Sequence, residues 1–131
     1  MTLEYSSNLR AAGRFDELCR KLAQFMTALE VEGKPIFPAG GVRVRAIPCE
    51  EYCIADGSLA DAGFVHAILK IGAGRSEAAK SATKAGLFDI MKAHFADHYQ
   101  KHGLALSLEF VEFSESGTLK HNNLHSRLRK A

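Results

Sequence analysis

The sequence predicts an α+β domain with two helices packed on a four-stranded mixed sheet, in the order β-α-β-β-α-β. Three observations predict it. Residues 15–29 and 76–101 carry apolar side chains at helical spacing. Four shorter stretches, 2–5, 42–47, 64–71 and 104–113, read as strands. The turn Gly72-Ala73-Gly74 joins the most apolar of these strands to the second helix. A single domain over 1–131 follows, with halves of similar layout at about 1–47 and 63–113 and a C-terminal extension.

In chain order, Thr2 to Tyr5 alternates like the end of a strand, and a loop follows through Ser6-Ser7-Asn8 to Gly13. Phe15, Leu18, Cys19, Leu22, Met26 and Leu29 form one helical stripe, with Asp16 and Glu17 suited to its first turn. Gly33 and Pro35 stop that helix. In 42–47, Val42, Val44 and Ala46 share one strand face while Arg43 and Arg45 share the other, and Pro48 ends the run. Two arginines on one strand face read either as exposed charge or as a ligand-facing pair. Asp56-Gly57 marks a turn.

The stretch 64–71 is apolar on both faces, the pattern of an internal strand, and His66 reads as a hydrogen-bonded sheet histidine. After its glycine turn, Ser76 is an N-cap candidate and Glu77 complements the helix dipole. Arg75 then stands beside free backbone N–H groups, which favours an anion, or else faces solvent. Leu87, Ile90, Met91, His94, Phe95 and Tyr99 mark the apolar side of the second helix, and Gly103 its end. In 104–113, Leu106, Leu108 and Phe110 share one face and Ala105, Val111 and Phe113 the other. Ser114 to Gly117 is a turn, followed by a short strand or helical turn. With both helices on one side, the second sheet face needs a cover that a neighbouring subunit could supply.

Composition narrows the function classes. A net charge of +2, with basic residues spread along the chain, gives no footprint for nucleic acid, and the tail Arg127, Arg129 and Lys130 reads as a solvated end. No apolar run reaches the roughly 18 residues of a membrane span. The start Met1-Thr2-Leu3-Glu4-Tyr5 lacks signal-peptide features, so a cytoplasmic location is expected. Cys19, Cys49 and Cys53 are read as reduced and structural, because Cys49 and Cys53 lack zinc or redox spacing. Glu77 stands where a G-x-G-x-x-G pattern has its third glycine and no Walker lysine follows, which argues against a nucleotide. His121 and His125 lack the zincin glutamate, so no metal or other cofactor is expected.

Several segments carry a further signal. Ile36-Phe37-Pro38 with Gly41-Val42-Arg43-Val44-Arg45, Ala55-Asp56-Gly57, and Phe64-Val65-His66 followed by Leu69-Lys70-Ile71-Gly72-Ala73-Gly74-Arg75 resemble the 5-carboxymethyl-2-hydroxymuconate isomerase family. So do Leu3-Glu4-Tyr5-Ser6, Asn8-Leu9 and Lys120-His121-Asn122-Asn123-Leu124-His125. The match runs in order over nearly the whole chain. The resemblance implies a tautomerase-superfamily subunit, a homotrimer, and an isomerase in homoprotocatechuate (hydroxyphenylacetate) degradation. Such an enzyme ketonises a dienol bearing several carboxylates by moving a proton along its conjugated chain. The implied substrate is a small unsaturated di- or tricarboxylate.

By the same resemblance, Arg43 and Arg75 match the family's substrate arginines. Their planar forks suit carboxylates and can stabilise developing oxyanion charge. Arg45 is expected to support the site or face solvent. The family's base is an amino-terminal proline, whose amine is neutral at pH 7 if burial and nearby cations lower it from about 7.7–8.0. Family members begin Met-Pro-His before a strand resembling Thr2-Leu3-Glu4-Tyr5-Ser6, so Met1 falls two residues after the proline. Two residues shorten the reach by about 7 Å, and no proline occurs before Pro35. Two expectations follow: either Pro-His precedes Met1 in the native protein, or the chain is a non-catalytic trimer that binds small dicarboxylates.

Overall fold

The computed structural model describes residues 1–130. Its elements in chain order are β1 (Thr2–Ser6), α1 (Phe15–Ala28), β2 (Glu30–Val31), β3 (Lys34–Pro35), β4 (Arg45–Cys49), β5 (Gly63–Gly72), α2 (Glu77–His94), α3 (Ala96–Lys101), β6 (Leu104–Phe113) and α4 (Leu124–Lys130). The main sheet has four strands in the order β4-β1-β5-β6. β1 runs parallel to β4 and antiparallel to β5, and β5 runs parallel to β6. Each parallel pair needs a crossover, which α1 and α2 supply. This is the α+β arrangement expected, with β5 internal to the sheet.

Alternation along the strands puts the core on one sheet face. Leu3, Tyr5, Val65, Ala67, Leu69 and Ile71 are buried together with Leu18, Leu22 and Met26 of α1 and Leu87 and Met91 of α2. The Tyr5 and Phe15 rings stack at 3.7 Å between centroids. A side-chain carbon at Gly86 would come within 2.0 Å of the Phe25 ring, so the missing Cβ is what lets α1 and α2 approach. Cys19 is half-buried, and burial pushes its thiol pKa up.

The opposite face is more polar than the sequence suggested. Phe64, Ile68 and Val111 share it with His66, whose Nδ1 lies 2.6 Å from Ser107 Oγ and whose Nε2 lies 3.5 Å from Glu109. His66 is thus a hydrogen-bonded sheet histidine.

Other expectations are corrected. The second strand begins at Arg45, not Val42, and continues through Pro48. β4 lies at the sheet edge, where a residue without an N–H can be accommodated. A small β2–β3 hairpin turns through Glu32 and Gly33, both at positive φ, where Gly33 and Pro35 were read only as the stop of the first helix. The second helix is not continuous over 76–101. It breaks at Phe95 (φ −102°, ψ 11°), so consecutive His94 and Phe95 are both buried. His94 Nε2 lies 2.7 Å from the Gly13 carbonyl, and Lys21 Nζ lies 3.4 Å from Nδ1. Beyond the break, α3 takes Tyr99 away from the core and leaves it 60% exposed. The tail forms α4, and Arg127, Arg129 and Lys130 are exposed as expected.

Candidate active site

β5 delivers the chain into Gly72-Ala73-Gly74, where Gly74 adopts φ 113°, a conformation that side chains disfavour. Ser76 caps α2 as expected, its Oγ accepting from Ala79 N at 3.1 Å. Between turn and cap, half-buried Arg75 folds back toward the end of the sheet. Its Nε donates to the Ile36 carbonyl at 3.2 Å and its Nη1 to the Gly72 carbonyl at 3.0 Å. The guanidinium carbon stands 4.7 Å from the Phe37 ring centroid, within cation–π range. Backbone carbonyls and an aromatic face therefore hold Arg75, where the sequence had suggested only the N–H groups of the helix start.

The stretch between β3 and β4 brings Arg43 to the same place. Arg43, Arg45 and Arg75 all line one cavity of about 760 Å³, together with Lys70 from β5 and Lys120 from the C-terminal segment. Glu115 is the carboxylate among the lining residues, and Lys120 lies 3.8 Å from it. Among the described residues none of Arg43, Arg45 and Arg75 is ion-paired. The cavity is thus strongly cationic and its arginine charges are uncompensated. Such a surface suits an anion with more than one charge.

The Met1 amine also lines this cavity and donates to the Arg43 carbonyl at 2.8 Å. Burial first, then the charges of Arg45 and Arg43, lower its pKa below the ordinary α-amine value. An amine poised this way can act as a proton acceptor near neutral pH, beside groups that stabilise negative charge.

Phe37, Lys70 and the wall formed by Thr118 to Asn122 and His125 were not identified as site components from sequence. For Lys70 the signal was its place on the same alternating face as Ile68. The C-terminal wall carried part of the resemblance, but nothing in it pointed to the site, because its role depends on a contact with Gly40 more than eighty positions away. A second cavity, about 500 Å³, lies beside Arg14, His94, His98 and His102. No group of three potential metal-binding side chains occurs among the described residues. No helix of the described residues is long and apolar enough to cross a membrane.

Comparison with known proteins gives consistent matches. The family model for 5-carboxymethyl-2-hydroxymuconate isomerase matches residues 1–128. The 5-carboxymethyl-2-hydroxymuconate Delta-isomerase of Escherichia coli is 35% identical over 124 residues, covering 95% of this chain and 94% of that protein. A crystal structure of a 5-carboxymethyl-2-hydroxymuconate isomerase from Deinococcus radiodurans R1 superposes with TM-score 0.88 at 47% identity, covering 98% of this chain and 92% of that one. A second crystal structure, of a 5-carboxymethyl-2-hydroxymuconate delta-isomerase, gives TM-score 0.89 at 31% identity, with coverages of 99% and 92%.

Proposed function

The chain belongs to the 5-carboxymethyl-2-hydroxymuconate isomerase family, and on that premise we propose that it ketonises a carboxylated dienol of this type in the Arg43–Arg75 cavity. Family membership makes it an isomerase of the tautomerase fold. The observation that carries the finer reading is the clustering of unpaired Arg43, Arg45 and Arg75 in one cavity that Met1 also lines. Arg43 and Arg75 hold substrate carboxylates through their guanidinium N–H groups. As the enol proton leaves, negative charge spreads along the conjugated chain, and these cations stabilise it. The enol oxygen becomes a carbonyl, the double bonds shift, and a carbon farther along the chain gains a proton. Atoms balance without a second reactant.

The base is the amino-terminal amine. In the β1–β5 register Thr2 lies opposite Ile68, so two further residues ahead of Met1 would place the family's proline opposite Ile71, itself a cavity residue. The resemblance also supplies the setting, homoprotocatechuate degradation. A homotrimer would cover the second sheet face, on which Ile47 is 46% exposed.

A second reading is a trimer that binds a small dicarboxylate without turnover. It is favoured by the Met1 amine being engaged with the Arg43 carbonyl. Ultraviolet loss of the 5-carboxymethyl-2-hydroxymuconate dienol separates the two. The isomerase accelerates ketonisation well above the buffer rate at catalytic protein concentrations. A rate equal to buffer, with dicarboxylate binding retained, rejects catalysis in favour of binding.

A further inference from the structure

We propose that Asn122 is a positioning residue for the arginine cavity, clamping the 36–43 loop that carries Arg43 and anchors Arg75. This rests on the carboxylate-binding reading above for its consequence, though not for its geometry. The loop lies between β3, which ends at Pro35, and β4, which begins at Arg45, and neither strand extends into it. Ile36 N bonds to Leu29 O at 3.1 Å at the loop's start. Gly41 N→Pro38 O (2.9 Å) and Val42 N→Ala39 O (3.1 Å) are bonds of the loop's own turn. Yet this loop supplies the Ile36 carbonyl and the Phe37 ring that orient Arg75.

The C-terminal segment holds the loop from outside. Asn122 Nδ2 donates to the Gly40 carbonyl at 2.9 Å, while its Oδ1 accepts from Leu124 N at 2.8 Å where α4 begins. Both ends of the amide are thus used, and turning it over would lose both bonds. Gly40 is buried, and a Cβ there would come within 2.7 Å of His125 Nδ1 and 2.8 Å of His125 N. His125 is therefore seated against the bare Cα of Gly40, beside the asparagine bond. A shift at Gly40 propagates a few residues in each direction, to Ile36 and Phe37 on one side and to Arg43 on the other.

Asn122→Asp tests this, because it keeps the shape and the acceptor for Leu124 N but sets an oxygen against the Gly40 carbonyl. The first readout is the 15N NMR signal of the Arg75 Nε–H, assigned by its loss in Arg75→Ala. The clamp predicts a shift toward free arginine and about tenfold faster hydrogen exchange, with the thermal transition close to wild type. The second is calorimetric affinity for cis,cis-muconate, an unreactive dicarboxylate. It should fall about tenfold in Gly40→Ala, which adds no charge to the cavity, and fall by less when that change is added to Arg75→Ala, where only the part acting through Arg43 remains. Gly40→Ala, which displaces His125 and leaves Asn122 intact, should give the same Nε–H change and serves if Asn122→Asp folds poorly. An unchanged Nε–H signal in both variants overturns the clamp. So does an affinity loss from Gly40→Ala that is undiminished in the Arg75→Ala background. If wild type fails to bind muconate, the carboxylate reading falls, and the Nε–H comparison alone still decides the clamp.

Discussion

Replacing Arg75 probes the cavity most sharply, because the structure says which of its donors are free. Its guanidinium carries five N–H groups. The Nε hydrogen goes to the Ile36 carbonyl and one Nη1 hydrogen to the Gly72 carbonyl. The remaining Nη1 hydrogen and both on Nη2 are available to a carboxylate. A charge-assisted hydrogen bond contributes about 1.5–3 kcal/mol, so losing even one lowers affinity by about 10- to 150-fold. Arg75→Ala should therefore weaken cis,cis-muconate binding by at least about tenfold, measured by titration calorimetry. Arg75→Lys keeps the charge but loses the fork and the planar contact with Phe37, so its affinity should fall between the two. Thermal melts run alongside separate lost contacts from lost folding. If both variants bind muconate as wild type does, with unchanged melting, Arg75 is a turn arginine and the assignment of the site fails.

Three further outcomes follow from the same structure. His94 is held below its ordinary pKa by burial, with the charges of Arg14 and Lys21 adding to this, while the bond to the Gly13 carbonyl and Glu17 oppose it. The unfolded chain then binds the extra proton more readily, so this contribution to stability is complete above about pH 6.5 and is lost as pH falls through the lowered folded value. Urea midpoints at pH 7.5 and 5.5 should show that loss, and His94→Asn should flatten it; equal slopes in both proteins would contradict it. Gly86→Ala ought to raise intrinsic helix propensity by about 1 kcal/mol yet destabilise the protein, since Phe25 blocks the new carbon. A higher unfolding midpoint would refute that packing. Pro-His placed directly ahead of Met1 should increase kcat/KM for dienol ketonisation by about a hundredfold or more over a chain starting at Met1, because about 7 Å of misplacement is removed. Equal rates would mean that the proline position is immaterial here.

The parts of the fold legible in the sequence were those with strong local patterning. The stripe from Phe15 to Met26, the two-faced run of β5 and the Ser76 cap were each written in a dozen residues or fewer. Boundaries set by tertiary contacts were not. Val42 and Val44 alternate like a strand, but the β1 ladder begins at Arg45, since Thr2 is its partner. Pro48 is permitted by β4's place at the edge, a fact of topology. The break at Phe95 follows from burying two adjacent rings, one of them against Gly13 from the far end of the chain. Arg43 and Arg75 were visible through the resemblance, and the glycine turn made Arg75 conspicuous by itself. Phe37, Lys70 and Asn122 became visible only when the chain folded, because each acts through groups distant in sequence.

The most direct measurement is a crystal structure of the protein with cis,cis-muconate bound. One carboxylate should lie within hydrogen-bonding distance of the Arg75 guanidinium and the other near Arg43, in the cavity that Lys70 and Met1 also line. A ligand bound instead beside His94 and His98, or one leaving both guanidinium groups free, would contradict it.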